Sequence, residues 1–178
     1  RPCITHCNFM SAEAIAKMKQ VGIVADIQPA WLYLDAATLN KQFGDERLAY
    51  FQPLKSIFES GVVAGGGSDH MQKIGSLRSV NPYNPWLGMW ITITRQPRNY
   101  EGAFHKEQSL SREQAIQFYT INNAYLLFSD DITGSLEEGK RADMIIIDRD
   151  VLTCNVDDIK DTQVLTTYLE GKVVYEKR

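Results

Sequence analysis

Ile23-Val24-Ala25-Asp26-Ile27-Gln28-Pro29 is the stretch on which the fold turns. Gly22 precedes it, its residues are largely apolar, and Pro29 closes it because proline cannot continue a central strand. Such a short run without strict alternation reads as a strand covered on both faces. Upstream, Pro2 to His6 forms a second strand candidate. Between the two, Ser11 can cap a helix with Glu13 in its first turn and Ala12, Ile15, Ala16 and Met18 as its apolar positions, ended by Gly22. Downstream, aromatic and small residues after Pro29 predict a loop. A helix follows in which Pro53 suits the first turn, Leu54, Ile57 and Phe58 share a face, and Gly61 stops the run. Val62-Val63-Ala64 then makes a third strand that ends in Gly65-Gly66-Gly67-Ser68-Asp69.

Strands separated by helices at this spacing are βα units of a parallel sheet. Here they occupy roughly seventy residues, whereas a closed eight-unit barrel takes about 250. The fold class expected is therefore α/β, a partial barrel. Met71 to Leu110 is too long for an ordinary loop and should be partly helical: Asn84 caps, Pro85 takes the first position, and Trp86, Met89, Trp90 and Ile93 fall on one face. Ser111 with Gln114 makes a capping box for a helix running through Ala115, Phe118, Tyr119 and Asn122. Met144 to Ile147 reads as an apolar strand between charged ends, and Val164–Leu169 with Val173–Tyr175 as a hairpin. These strands are too close for βα units and point to a β-rich annex over residues 134–178, set apart from an α/β part over 1–133.

Composition bounds the partners. The chain has 178 residues, 44% hydrophobic and 23% charged, with a net charge of −3. That excludes a disordered tail, and the scattered basic residues argue against nucleic acid. No run approaches the ~18 to 20 apolar residues of a membrane span. Arg1-Pro2-Cys3-Ile4 lacks the layout of a secretory signal, so a cytoplasmic setting is expected. Cys3, Cys7 and Cys154 are an odd count without framework spacing, which favours reduced thiols. A chain that opens on Arg1 reads as cut from a longer protein, although tag removal or processing would also expose Arg1.

In parallel α/β architectures the reactive groups sit at the C-terminal ends of strands, here His6, Gln28 and Asp69. Imidazole and carboxylate suit a divalent metal such as zinc, which would make hydroxide available at neutral pH. Taken alone, His6 also fits a partly buried histidine bonded to backbone, and Asp69 a turn residue after glycines. Strand alternation puts Cys3 and Cys7 opposite His6, which argues against a shared Cys/His site. The glycines before Asp69 lack the spacing of a phosphate loop and read as slimming that lets a substrate or metal approach. His70 is a candidate substrate contact, as is Trp31 beside Tyr33. Trp86 and Trp90 fit the core, and His105 fits the surface.

Several separated motifs coincide with one family. Ile4-Thr5-His6, Ala25-Asp26-Ile27-Gln28-Pro29, Gly67-Ser68-Asp69, Asn81-Pro82-Tyr83-Asn84-Pro85-Trp86-Leu87-Gly88, Thr120-Ile121-Asn122-Asn123-Ala124 and Gly134-Ser135-Leu136-Glu137-Glu138-Gly139-Lys140-Arg141-Ala142-Asp143 follow in the order seen in the amidohydrolase superfamily. The sequence resembles the branch that contains N-substituted formamide deformylase. Asn8 stands where that branch commonly has glutamine, and Thr5 where it has an acidic residue. The resemblance implies the C-terminal part of a (β/α)₈ TIM barrel, strands 6 to 8 with their helices, plus part of a composite β-sandwich. It also implies metal-dependent hydrolysis of C–N amide-type bonds in a small-molecule substrate. His6 and Asp69 would be metal ligands, with Asp69 also the catalytic proton shuttle, and Gln28, Trp31 and His70 would contact substrate. The strand 1 His-x-His and the strand 4 and 5 ligands have no counterpart, so metal should be weak or absent in this chain alone. Three strands cannot close a barrel, and their two outer edges should drive homo-oligomerisation or call for a missing N-terminal half. The rival expectation is a non-catalytic module that folds through a partner or by self-association.

Overall fold

The structure is a computed structural model that describes residues 1–69 and 83–178. Two sheets organise it. The first is parallel, in the order β1 (Cys3–Thr5), β2 (Val24–Ile27), β3 (Ala64–Gly66), with Thr5 paired to Asp26 and Asp26 to Gly65. The second is antiparallel, with β4 (Met144–Ile147) beside the hairpin of β5 (Val164–Leu169) and β6 (Lys172–Glu176).

Helix α1 (Ala12–Val21) starts where Ser11 Oγ accepts the Ala14 amide and stops at Gly22, whose φ of 72° is a conformation that glycine adopts without strain. Its buried Ile15 and Met18 meet Ala25, Ile27, Leu54, Ile57, Ala64 and Phe118, forming the core between the sheet and its helices. Helix α3 (Leu54–Ser60) runs where the sequence reading expects it and stops at Gly61, with Pro53 preceding its first turn instead of standing in it. The expected loop after Pro29 is instead the 15-residue helix α2 (Pro29–Phe43). Pro29 both ends β2 and takes the first helical position, where its missing N–H is no loss, and Leu32 and Ala36 are buried against a second core.

That second core gathers Phe51, Met89, Trp90, Ile91, Phe104, Ala115 and Ile159. Helix α4 (Pro85–Thr94) opens as expected, with Asn84 Oδ1 accepting the Trp86 amide. Trp90 donates from its indole nitrogen to Asp157 at 3.1 Å, tying a short 3₁₀ turn at Val156–Asp161 onto α4. Trp86 is partly buried against the same core, so both tryptophans of α4 belong to packing.

The capping box at Ser111 and Gln114 is present. The helix it opens does not reach Asn122, however. It ends as α5 (Arg112–Tyr119), and Thr120, at φ −124° and ψ −97°, redirects the chain into α6 (Ile121–Leu126). The break has a consequence for the sheet. Asn122 and Asn123 donate their side-chain amides to Ala64 O at 2.8 Å and Gly66 O at 2.9 Å. β2 bonds Val63 O and the Gly67 amide, so by parallel alternation the Ala64 and Gly66 carbonyls face the other edge. The expectation of two bare edges is thus corrected: α6 covers the edge of β3, and among the described residues the edge of β1 is left. Among the described residues no helix is long and apolar enough to cross a membrane.

Candidate active site

β1 and β3 are parallel and flank β2, so the residues just past them emerge on one side. His6 and Asp69 do so, with His6 Nδ1 4.0 Å from Asp69 Oδ2 and side chains 44% and 35% exposed. Both have left-handed backbones, φ 72° at His6 and 47° at Asp69, as does Cys7 at 44°. Such conformations cost of order 1–3 kcal/mol at non-glycine residues and persist where the surroundings over-determine them.

Gln28 follows the last residue of β2 between them and is only 4% exposed. It is directed at a residue that the sequence reading did not single out: Gln28 Nε2 donates to Asp26 Oδ1 at 2.8 Å. Burial raises the Asp26 pKa, the Gln28 bond and His6 oppose that rise, and the Asp69 charge adds to it. An imidazole and two carboxylates are thus within electrostatic reach of one another at one end of the sheet. The available signal for Asp26 was a carboxylate inside an otherwise apolar strand, since aspartate is seldom buried unless paired.

The glycine run serves a purpose different from the one expected for most of its length. A Cβ at Gly65 would lie 2.2 Å from Asn123 Oδ1, and one at Gly66 2.2 Å from Phe118 Cε1. These two glycines let α6 and α5 close on the sheet. Gly67 alone faces the candidate site, where a Cβ would stand 3.8 Å from both Asp26 Oδ1 and Gln28 Nε2.

The remaining sequence candidates divide. Trp31 sits half-buried in the first turn of α2, its backbone N–H bonded to Gln28 O at 3.1 Å. Its indole nitrogen is buried without a partner among the described residues. Tyr33 lines a cavity of about 220 Å³ with Gly67, Ser68, Leu87 and Ile91. His70 lies outside the described residues. His105 is not a surface histidine: its side chain is 10% exposed and lies 3.0 Å from Glu107 Oε1 and 3.2 Å from Asp45 O. The alternation argument for the cysteines also fails past Thr5, where β1 ends and His6 and Cys7 turn. Cys7 is nevertheless in the apolar core, its thiol donating to Ile4 O at 3.2 Å, and burial pushes that thiol up to about 11.

A catalytic zinc usually takes three protein ligands. His6 and Asp69 are donors of the right kind, but among the described residues no group of three or more His, Cys, Asp or Glu side chains could hold a metal ion. The described residues therefore do not make a complete metal site.

A model described as "Amidohydrolase family" matches residues 1–175. N-substituted formamide deformylase of Arthrobacter pascens is 29% identical over 164 residues, covering 90% of this chain and 28% of that protein. A solved metal-dependent hydrolase of Pyrococcus horikoshii OT3 superposes with a TM-score of 0.72 at 24% identity, over 87% of this chain and 30% of that one. An adenosine deaminase of Xanthomonas campestris, solved with bound zinc, gives a TM-score of 0.65 at 17% identity, over 96% of this chain and 36% of that one. The chain thus spans between 28% and 36% of the length of these proteins.

Proposed function

The chain belongs to the amidohydrolase family, and on that premise we propose that it is the C-terminal part of a metal-dependent hydrolase acting on C–N bonds of a small amide-type substrate. The observation that carries the reading is the approach of His6 Nδ1 to Asp69 Oδ2, 4.0 Å apart beyond the ends of two parallel strands. In this reading residues 1–133 supply barrel strands 6 to 8 and residues 134–178 part of a β-sandwich, in keeping with one parallel and one antiparallel sheet. The other ligands of a divalent metal, zinc by preference, would come from outside this chain.

Asp69 is the residue assigned to proton transfer. Its Oδ2 would accept a proton from the hydrolytic water and return it to the leaving nitrogen, so that a C–O bond forms as the C–N bond breaks and amide plus water becomes acid plus amine. His6, beside it, would hold the metal or the attacking water. Gln28 would hold Asp26 and present its own amide to substrate, with Trp31 and His70 as further substrate contacts. In the longer protein, Asp69→Asn keeps the shape and removes the proton acceptor. We expect kcat to fall by about 10² to 10⁴, the range for a general acid/base, and an unchanged kcat would return Asp69 to the role of a turn residue. Reading the gene upstream of Arg1 gives an independent check: a His-x-His about 250 or more residues before His6 in the same frame is expected, in line with the length of a closed barrel.

Surface chemistry supports an assembly. Met144, Ile145 and Ile146 of β4 and Val173, Val174 and Tyr175 of β6 are exposed. Apolar patches of that kind are costly on a monomer, which supports a homo-oligomer or a docked N-terminal half.

A further inference from the structure

Gln52 and Arg95 lie away from the candidate residues in sequence, yet both are fully buried and both adopt left-handed backbones, φ 45° and 51°. Arg95 has no carboxylate bonded to it among the described residues. Its guanidinium instead donates to three main-chain oxygens: Phe104 O at 2.7 Å, Gln52 O at 2.9 Å and Phe51 O at 3.1 Å. The planar fork suits such a set of fixed acceptors. Gln52 passes the constraint onward. Its backbone N–H donates to Asn8 O at 2.9 Å, and its side-chain Nε2 donates to Asn8 Oδ1 at 2.8 Å and to Gln28 O at 2.9 Å.

We propose that Gln52, fixed by Arg95, is a positioning residue that sets the distance between the His6 turn and the end of β2 at Gln28. The proposal rests on the reading of His6 and Gln28 as site residues. Its physical basis is separate. Asn8 follows the left-handed pair His6 and Cys7, a conformation that needs outside support, and Gln52 bonds Asn8 at both backbone and side chain while holding the carbonyl of Gln28. The amide is also a poor choice for stability alone. Gln52 Oε1 is buried with no partner among the described residues, and an unpaired buried acceptor is costly. A leucine of similar size would remove that oxygen and forfeit the two donated bonds. Retaining glutamine exchanges stability for a fixed separation between two strand ends.

The test is nuclear magnetic resonance on the intact chain. Gln52→Leu and Asn8→Ala should each shift the His6 ring ¹H–¹³C signal and speed amide exchange around His6 to Asn8 and at Gln28 by about tenfold or more, as expected for local opening. The double variant should shift them no further than Gln52→Leu alone, because the bond that Asn8→Ala removes is one of the two already lost in Gln52→Leu. Ile159→Val, a buried change in the other core, serves as control and should lower stability without moving the His6 signal. If Gln52→Leu does not fold, Asn8→Ala, at a half-buried position, carries the test. A His6 signal that is unmoved in the variants, or moved as much by Ile159→Val, would overturn the proposal. Because the readout is structural, a failure of the hydrolase reading would not resemble a failure of this one.

Discussion

Adding one methyl group at either of two adjacent glycines should give opposite results. At Gly66 the new Cβ would fall 2.2 Å from Phe118 Cε1 and 2.5 Å from Cδ1, whereas carbon atoms rest about 3.5–4.0 Å apart. The ring cannot yield easily. It is fully buried, lies edge-on to Tyr119 with centroids 5.2 Å apart, and faces Phe58 at 6.3 Å. Overpacking of this kind costs about 1–3 kcal/mol. At Gly67 the same methyl meets ordinary contacts among the described residues, at 3.8 Å from Asp26 Oδ1 and Gln28 Nε2. Replacing either glycine restricts the unfolded chain to a similar degree, a gain of about 0.4–1 kcal/mol. The difference between the variants therefore isolates the clash, and at about 2–4 °C per kcal/mol for a chain of this size Gly66→Ala should melt roughly 2–12 °C below Gly67→Ala. Thermal and urea unfolding followed by circular dichroism measures it. Equal melting temperatures, or a less stable Gly67→Ala, would refute the account of the glycine run. Gly67→Ala should meanwhile impair hydrolysis in the longer protein, because its methyl occupies the space beside Asp26 and Gln28.

Two further outcomes follow from burial and surface. Burial raises the Cys7 thiol from its ordinary value of 9.0 to about 11, so the folded state holds that proton more tightly than the unfolded chain does. The associated stability is whole below pH 9 and is lost as pH rises from 9 to 11. Melting temperature should accordingly fall more steeply across that window for the parent than for Cys7→Ala, and parallel curves would contradict the burial argument. In light scattering at micromolar concentration the chain should exceed 20.2 kDa; a well-ordered monomer with cooperative unfolding would show that the exposed faces of β4 and β6 need no partner.

The parts of the fold legible in the sequence were those fixed by local chemistry. Ser11, Asn84 and Ser111 each begin a helix by accepting a backbone N–H, and β2 is recognisable because a short apolar run between Gly22 and Pro29 has few other uses. Helix α2 was missed because Pro29 carries two meanings, a stop for a strand and a first residue for a helix. The covering of the β3 edge by Asn122 and Asn123 depends on contacts more than fifty residues apart in sequence, which no local pattern records. The same holds at the candidate site. His6, Gln28 and Asp69 are candidates by position, at or just past strand ends. Gln52 and Arg95 act through main-chain carbonyls brought together only by folding.

Metal content measured on the purified 178-residue chain tests the central claim most directly. If His6 and Asp69 are two donors of a site completed from elsewhere, the chain dialysed against metal-free buffer should retain well under one zinc per molecule, because a catalytic site usually needs about three protein ligands, and it should hydrolyse no amide. One tightly held zinc per chain, together with amide hydrolysis abolished by Asp69→Asn, would contradict the claim and show that this chain builds a complete centre.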